Sequence, residues 1–243
     1  MIRRKLWNLT FSFIIYSIIG FFLETFYALF TEGIIESRKS FIYGPFCIVY
    51  GIAAIILTIF LNKYKNNNIK LFIYGMILGG IIEYFASLTG EILLHVKWWD
   101  YSDCFMNING RTCLFYIVMW GILTIFLINY IAPLLNKFSF ICLNLKFLKI
   151  CIILIAIFML FDGAISAYAL NSFLVRISNN YNIDIKGINK SKMADIYFET
   201  YYPDDKMILV YPNMIAVDKK GDNIYLDEVL SGVKKYYFKF NDN

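Results

Sequence analysis

Long apolar runs separated by short polar gaps set the pattern of this chain. Five runs, at residues 6–30, 41–61, 71–94, 114–135 and 147–170, have the length for a bilayer crossing, which takes roughly 20 helical residues. Beyond residue 170 the pattern breaks. Segments 195–202 and 206–211 carry the aromatic and β-branched residues of strands, separated by Pro203-Asp204-Asp205. Tyr211-Pro212-Asn213 and Lys220-Gly221-Asp222 read as turns. Leu226, Val229, Leu230 and Val233 follow the spacing i, i+3, i+4, i+7 and predict a last helix. The expected fold is an all-α integral membrane bundle of five transmembrane helices over residues 1–170. A small α+β extracytoplasmic domain would follow over 171–243, a size marginal for folding unless it docks elsewhere.

Composition agrees with that division. The 243 residues are 59% hydrophobic and 17% charged, with mean hydropathy +0.59, unlike a soluble domain. Arg3, Arg4 and Lys5 precede the first run, which is too long for a signal peptide and has no small-x-small cleavage pattern after it, so it reads as an anchor. Charge then orients the chain. Lys63, Lys65 and Lys70 in the second gap, and Lys137, Lys146 and Lys149 around the fourth, repeat the purely basic character of the N-terminus. The first and third gaps instead mix Arg38, Lys39, Lys97 and Arg111 with Glu32, Glu36, Glu91, Asp100 and Asp103. Basic short loops stay cytoplasmic, so the N-terminus is expected inside and, after five crossings, the C-terminus outside. The formal charge of +5 is thus a topology signal, with no nucleic-acid partner implied. Five cysteines, Cys47, Cys104, Cys113, Cys142 and Cys151, do not make a disulfide framework, although one bridge among the first three stays open.

Two stretches repeat each other. Gly20-x3-Glu24-x7-Glu32 matches Gly79-x3-Glu83-x7-Glu91, and Gly44-Pro45-Phe46-Cys47 matches Gly110-Arg111-Thr112-Cys113. Each unit would be a helix, an outer loop and a helix, giving parallel repeats at about 6–61 and 71–135, with the fifth helix at 147–170. Tyr16, Gly20, Glu24 and Ala28 share one helical stripe, as do Gly75, Gly79, Glu83 and Ser87. Small residues on such stripes let helices approach closely in lipid, which turns both glutamates toward protein. An ionisable residue within a span is a functional candidate by default, though it can also serve as packing glue. Asp162 lies as far beyond Lys149 as Glu83 lies beyond Lys70, which puts the acids at similar depth. Arg111 is the best counter-ion, because its forked guanidinium can serve two carboxylates. Glu24, Glu83, Arg111 and Asp162 are therefore the central candidates for binding or ion coupling. Asp100, Glu32 and Glu91 stand at the loop side. Three acids against one Arg suit a cation or a proton.

Other positions read as structural. Trp98, Trp99 and Tyr101 have the character of interfacial anchors, while Asp100 could order the outer loop. Gly44-Pro45 reads as a turn into the second helix, where Pro loses no hydrogen bond. The lone His95 has no partners of a ligand set, and no metal-binding cluster or cofactor motif is expected.

At these residues the chain resembles a bacterial membrane family known as putative ABC-transporter permease, type IV, or CmpB-like. The resemblance rests on Gly20-x3-Glu24, Tyr43-Gly44-Pro45-Phe46-Cys47-x2-Tyr50-Gly51 and Trp99-Asp100-Tyr101-Ser102. Asn107-x-Asn109-Gly110-Arg111-x-Cys113 and Trp120-Gly121 complete it. Lys39-Ser40 and Ile48 depart from the family's usual Arg-Gly and Pro, and Lys39 cannot replace an Arg's bidentate contacts. The resemblance implies a multi-pass permease-type component in a bacterial cytoplasmic membrane, surrounded by lipid. No Gly-x4-Gly-Lys-Ser/Thr loop occurs, so any ATPase, or other membrane subunit, would be a separate protein. The substrate is not readable. One alternative is a sensor or scaffold that uses the C-terminal domain. Another is an intramembrane enzyme acting on a lipid-linked substrate, against which stands the lack of an oriented nucleophile and base.

Overall fold

The computed structural model describes residues 2–189, 196–233 and 235–239. Among them, helix α1 (Ile2–Glu32) is followed by the short strand β1 (Ile34–Ile35) and helix α2 (Ile48–Leu61), extended by a 3-10 turn (Asn62–Tyr64). Helix α3 (Asn68–Leu94) leads to strand β2 (Val96–Lys97). Helices α4 (Leu114–Phe126) and α5 (Ala132–Asn144) are joined by a π-helical turn (Leu127–Ile131), and α6 (Lys146–Asn180) follows. The C-terminal part holds α7 (Ile196–Tyr201), α8 (Asp204–Val210), β3 (Ile215–Val217), β4 (Asn223–Tyr225), α9 (Leu226–Val229) and β5 (Phe238–Lys239).

Among the described residues, four helical segments are long and apolar enough to cross a membrane: Arg4–Glu32, Asn68–Leu94, Leu114–Asn144 and Lys146–Asn180. The segment Ile48–Tyr64 is apolar but shorter. The second predicted run therefore changes. Its first residues, 41–47, are irregular, and α2 begins only after Pro45 with Cys47 in an extended conformation at its N-cap. The fourth run extends past Leu135 to Asn144. Pro133 has no N–H and would collide with the carbonyl of Asn129, and the wider π turn at Leu127–Ile131 relieves that conflict without ending the helix. The fifth run extends to Asn180, because Phe173, Leu174 and Ile177 continue its apolar pattern as fully buried residues.

The chain folds as two units. The helical unit comprises residues up to Gly20, Pro45–Ala86 and Tyr101–Phe161. Within it, α1 and α2 meet where a side chain at Gly20 would overlap the base of Tyr50, and Gly51 abuts Ser17 and Phe13. Helices α3 and α4 meet in the same manner: Gly79 abuts Trp120, and Gly121 abuts Phe72 and Met76. Such contacts admit only glycine and are how helices pack when lipid supplies no hydrophobic drive. The rings of Tyr50 and Trp120 lie with centroids 5.5 Å apart. Trp7 donates to the carbonyl of Ser139 at 3.1 Å, and the Ser139 hydroxyl bonds Asn8 at 2.7 Å.

The mixed unit comprises Phe21–Gly44, Ser87–Asp100 and the chain from Asp162 onward. Its core surrounds the C-terminal half of α6, with Phe173, Leu174 and Ile177 packed among Ile185, Met207, Ile208, Met214, Ala216 and Leu226. Strands β2, β3 and β4 form an antiparallel sheet in that order, and β1 pairs antiparallel with β5. Both β1 and β2 follow helix ends closed by a left-handed residue. Gly33 (φ 69°) donates its N–H to Leu29, and His95 (φ 61°) donates to Glu91.

Two strand expectations are corrected here. Residues 196–201 and 204–210 are helices, while Asp195 lies outside the described residues. In the first, aromatic residues pair at i, i+4, with Tyr197 against Tyr201 and Phe198 against Tyr202, a spacing that suits a helix. Asp204 and Asp205 occupy the first turn of α8 after Pro203, where carboxylates favour the helix N-terminus. Strands form instead at Ile215–Val217 and Asn223–Tyr225, joined through the expected Lys220-Gly221-Asp222 turn. The expected last helix is present as the short α9.

Candidate functional site

In the helical unit, polar groups converge on Glu83 of α3. Its side chain is buried, with 6% of the residue exposed. The Thr112 hydroxyl donates to Oε2 at 2.6 Å, and the Tyr101 hydroxyl donates to Oε1 at 3.4 Å. Both donors come from the 101–113 loop, which is folded by its own hydrogen bonds. The N–H of Tyr101 bonds the carbonyl of Gly110 at 2.8 Å, and the N–H of Ile108 bonds that of Thr112 at 2.8 Å. Asn107 bridges the loop through the carbonyls of Ser102 and Cys104 and the N–H of Gly110. Asn109 and Gly110 both take left-handed conformations (φ 54° and 66°), which Asn tolerates and Gly accepts freely.

Arg111, buried on the same loop, places its guanidinium 5.9 Å from the ring centre of Tyr84, next in sequence to Glu83. The Tyr84 hydroxyl accepts a bond from Asn109 at 3.0 Å, and Tyr101 stacks on Tyr116 with centroids 4.4 Å apart. Thr112, Tyr84 and Tyr116 are absent from the sequence candidates. Thr112 lies inside the loop motif, but a neutral hydroxyl beside an Arg and a Cys gives no separate signal.

In the mixed unit, Asp162 has a different setting from the one expected. Its Oδ1 accepts the N–H of Tyr43 and the Ser166 hydroxyl, both at 3.2 Å, and its Oδ2 accepts the N–H of Gly44 at 2.9 Å. Ser166 in turn accepts the N–H of Ile42 at 2.9 Å. The acid thus closes the backbone of the irregular 41–47 segment, which explains why that apolar stretch is not helical. Tyr211 points its hydroxyl toward the carbonyl of Ser40 at 3.5 Å, and burial raises its pKa above the ordinary phenol value, with the Ser166 hydrogen bond opposing.

The remaining candidates separate. Glu24 is half-buried on α1 in the mixed unit. Glu32 pairs with Arg38 at 3.5 Å, and Glu91 pairs with Lys186 at 3.3 Å. Asp100 accepts from Asn223 at 2.5 Å and from Tyr225 at 2.9 Å, tying the segment after β2 to β4. Trp98 is half-buried and its ring centroid lies 5.3 Å from that of Tyr211. Glu83 and Arg111 share the helical unit, whereas Glu24 and Asp162 belong to the mixed unit. None of the five cysteines is joined in a disulfide. Among the described residues no cluster of His, Cys, Asp and Glu could hold a metal ion.

No curated protein and no solved structure matches the chain. Residues 11–167 match the family described as "Putative ABC-transporter type IV", a span that contains α2 to α5, the folded 101–113 loop and most of α1 and the apolar half of α6. With that match over well more than half its length and four helices able to cross a bilayer, the chain is a multi-pass membrane protein belonging to the putative ABC-transporter type IV family.

Proposed function

We propose that this protein is the permease-type component of an ABC transport assembly, in which Glu83, Tyr101, Arg111 and Thr112 form a proton- or cation-responsive centre. The observation that carries this reading is a buried carboxylate within a spanning helix, held by two hydroxyls from a loop that also carries a buried Arg. An ionisable side chain inside a spanning helix faces protein or a water-filled path, and such positions mark ion or substrate routes. Asp162, saturated by backbone donors, serves the fold in this reading.

The chain crosses the membrane five times, with α2 as the short second span, the N-terminus in the cytoplasm and the C-terminal module outside the bacterial cytoplasmic membrane. Two parallel hairpins supply four of the spans. Support comes from the matched contacts of Gly20 with Tyr50 and Gly79 with Trp120, and of Gly51 and Gly121 with their partner helices. Glu24 is the first-copy counterpart of Glu83. A separate ATPase subunit supplies the energy.

Isolation of the tagged protein from native membranes tests the assembly, followed by ATP hydrolysis in proteoliposomes. An ATPase should co-purify, and Glu83→Gln should abolish its stimulation while assembly and membrane levels stay unchanged. Failure of any ATPase to co-purify, or full activity in Glu83→Gln, overturns the reading. The sensor alternative draws on the pairing of β1 with β5 and β2 with β3, which joins both gap strands to C-terminal strands. Deleting residues 181–243 would abolish sensing, whereas a transport role centred on Glu83 would retain ATPase coupling.

A further inference from the structure

The exposure of α6 changes abruptly along its length. Leu160 and Phe161 present large apolar surfaces, and Tyr168 is still 49% exposed, yet every residue from 172 to 178 is buried. In a spanning helix this marks the level at which lipid gives way to protein. Helix α7 lies at that level, since the ring of Phe198 sits 4.5 Å from that of Tyr168. The end of α7 is pinned there too, because Arg176 donates to the Tyr202 carbonyl at 2.8 Å and pairs with Asp204 at 2.7 Å.

While Phe198 and Tyr202 face inward, Tyr197 and Tyr201 face outward at 58% and 56% exposure, their rings 4.5 Å apart. Tyr43 stands beside them at 51% exposure, its hydroxyl 2.7 Å from that of Tyr202. Lys206 places its ammonium 4.7 Å from the Tyr202 ring and bonds the Tyr201 carbonyl at 3.0 Å. We infer that Tyr43, Tyr168, Tyr197 and Tyr201 form an aromatic collar that seats α7 in the headgroup layer, so that the lipid bilayer is the partner of this face.

Tyr168, a member of the collar, is itself an exposed residue of α6, a helix long and apolar enough to span, and this selects lipid as the occupant. So does its chemistry: tyrosine rings place an apolar body toward the acyl chains and a hydroxyl toward water, which concentrates them at this depth. A lysine beside them can extend its charge to the phosphates while its stem stays apolar. The collar would hold the C-terminal part of the chain against the membrane as a fixed platform.

The test places p-benzoylphenylalanine at Tyr197 or Tyr201 in the full chain, reconstituted in nanodiscs of phosphatidylethanolamine and phosphatidylglycerol. Phe161 is the lipid-facing reference. Tyr181, exposed just past the end of α6 and about 20 Å along the axis from Tyr168, is the aqueous reference. After irradiation, mass spectrometry should find lipid adducts at 197 and 201 at yields matching position 161, and loss of the adduct at 181. Both test sites are exposed, so each independently checks the other if one variant misfolds. Adducts confined to protein, including a second copy of the chain, would overturn the inference, as would lipid labelling at 181 equal to that at 197.

Discussion

Replacing Gly79 with alanine puts the close packing of α3 and α4 to a quantitative test. The new methyl group would overlap the Cβ of Trp120 and lie 2.6 Å from its Cγ. Those atoms are the root of the side chain, so rotation of the indole cannot clear the space and the helices must separate. Overpacking of this type costs about 1–3 kcal/mol. The alanine recovers about 1 kcal/mol of helix propensity relative to glycine, and the rigid contact places the clash at the upper end. A net loss of about 2 kcal/mol follows, equivalent to a melting temperature lower by about 4–8 °C in a chain of this size. Gly80→Ala is the matched control. Its methyl would meet the Cγ1 of Ile117 at 2.9 Å and the Cδ1 at 3.3 Å, atoms of a flexible side chain that can turn aside. Thermal unfolding of the purified protein in one detergent, followed by size-exclusion survival, should rank wild type and Gly80→Ala together and Gly79→Ala below them. Gly20→Ala should behave as Gly79→Ala does, because Tyr50 occupies the equivalent space. Equal stability of Gly79→Ala and wild type would refute the claim that this contact sets the helix separation.

Further outcomes follow from individual contacts. Asp162→Ala leaves the N–H groups of Tyr43 and Gly44 and the hydroxyl of Ser166 without their acceptor, at about 1–3 kcal/mol for each buried group; limited proteolysis should cut within 41–47, and unchanged protease resistance would contradict the assigned role. Glu36 pairs with Arg38 at 2.6 Å and accepts from Asn213 at 2.7 Å, yet burial raises its pKa above 4.5 despite these partners. The folded state therefore holds this proton more tightly than the unfolded one. Its contribution is full below 4.5 and is lost as pH rises through the higher folded value. Melting curves of wild type and Glu36→Gln should show wild type losing stability relative to the variant across that rise, and a pH-independent gap between them would show that burial does not control this carboxyl.

Much of the architecture was legible in local sequence. A stretch such as 71–94 declares itself because an apolar run of bilayer length has no other stable environment, whatever the rest of the chain does. The glycine stripes were likewise readable as close packing, whereas the hydrogen bonds that fold the 101–113 loop were not. Glu83 stood out, together with Glu24 and Asp162, as an acid inside an apolar run, and the fold shows its donors, Thr112 and Tyr101. Residues 41–47 show where local reading stops. Their composition suits a helix, but the backbone donors of Ile42, Tyr43 and Gly44 are taken by Ser166 and Asp162, well over a hundred positions away. Segments 196–201 and 204–210 show the converse. The aromatic residues at i, i+4 in the first suit either a helix or a strand until neighbours decide, and in the second Asp204 and Asp205 start a helix that apolar content alone does not announce.

By itself, then, the order of residues determined which stretches are long and apolar enough for a bilayer and where helices can touch, and it marked Glu24, Glu83 and Asp162 as acids within apolar runs. The tertiary structure alone decided that Asp162 organises a loop, that Asp100 is held by Asn223 and Tyr225, and that β2 completes a sheet with strands from the far end of the chain. Burial in lipid is a property of a single segment, whereas a hydrogen-bond partner is chosen from every group that folding brings within reach.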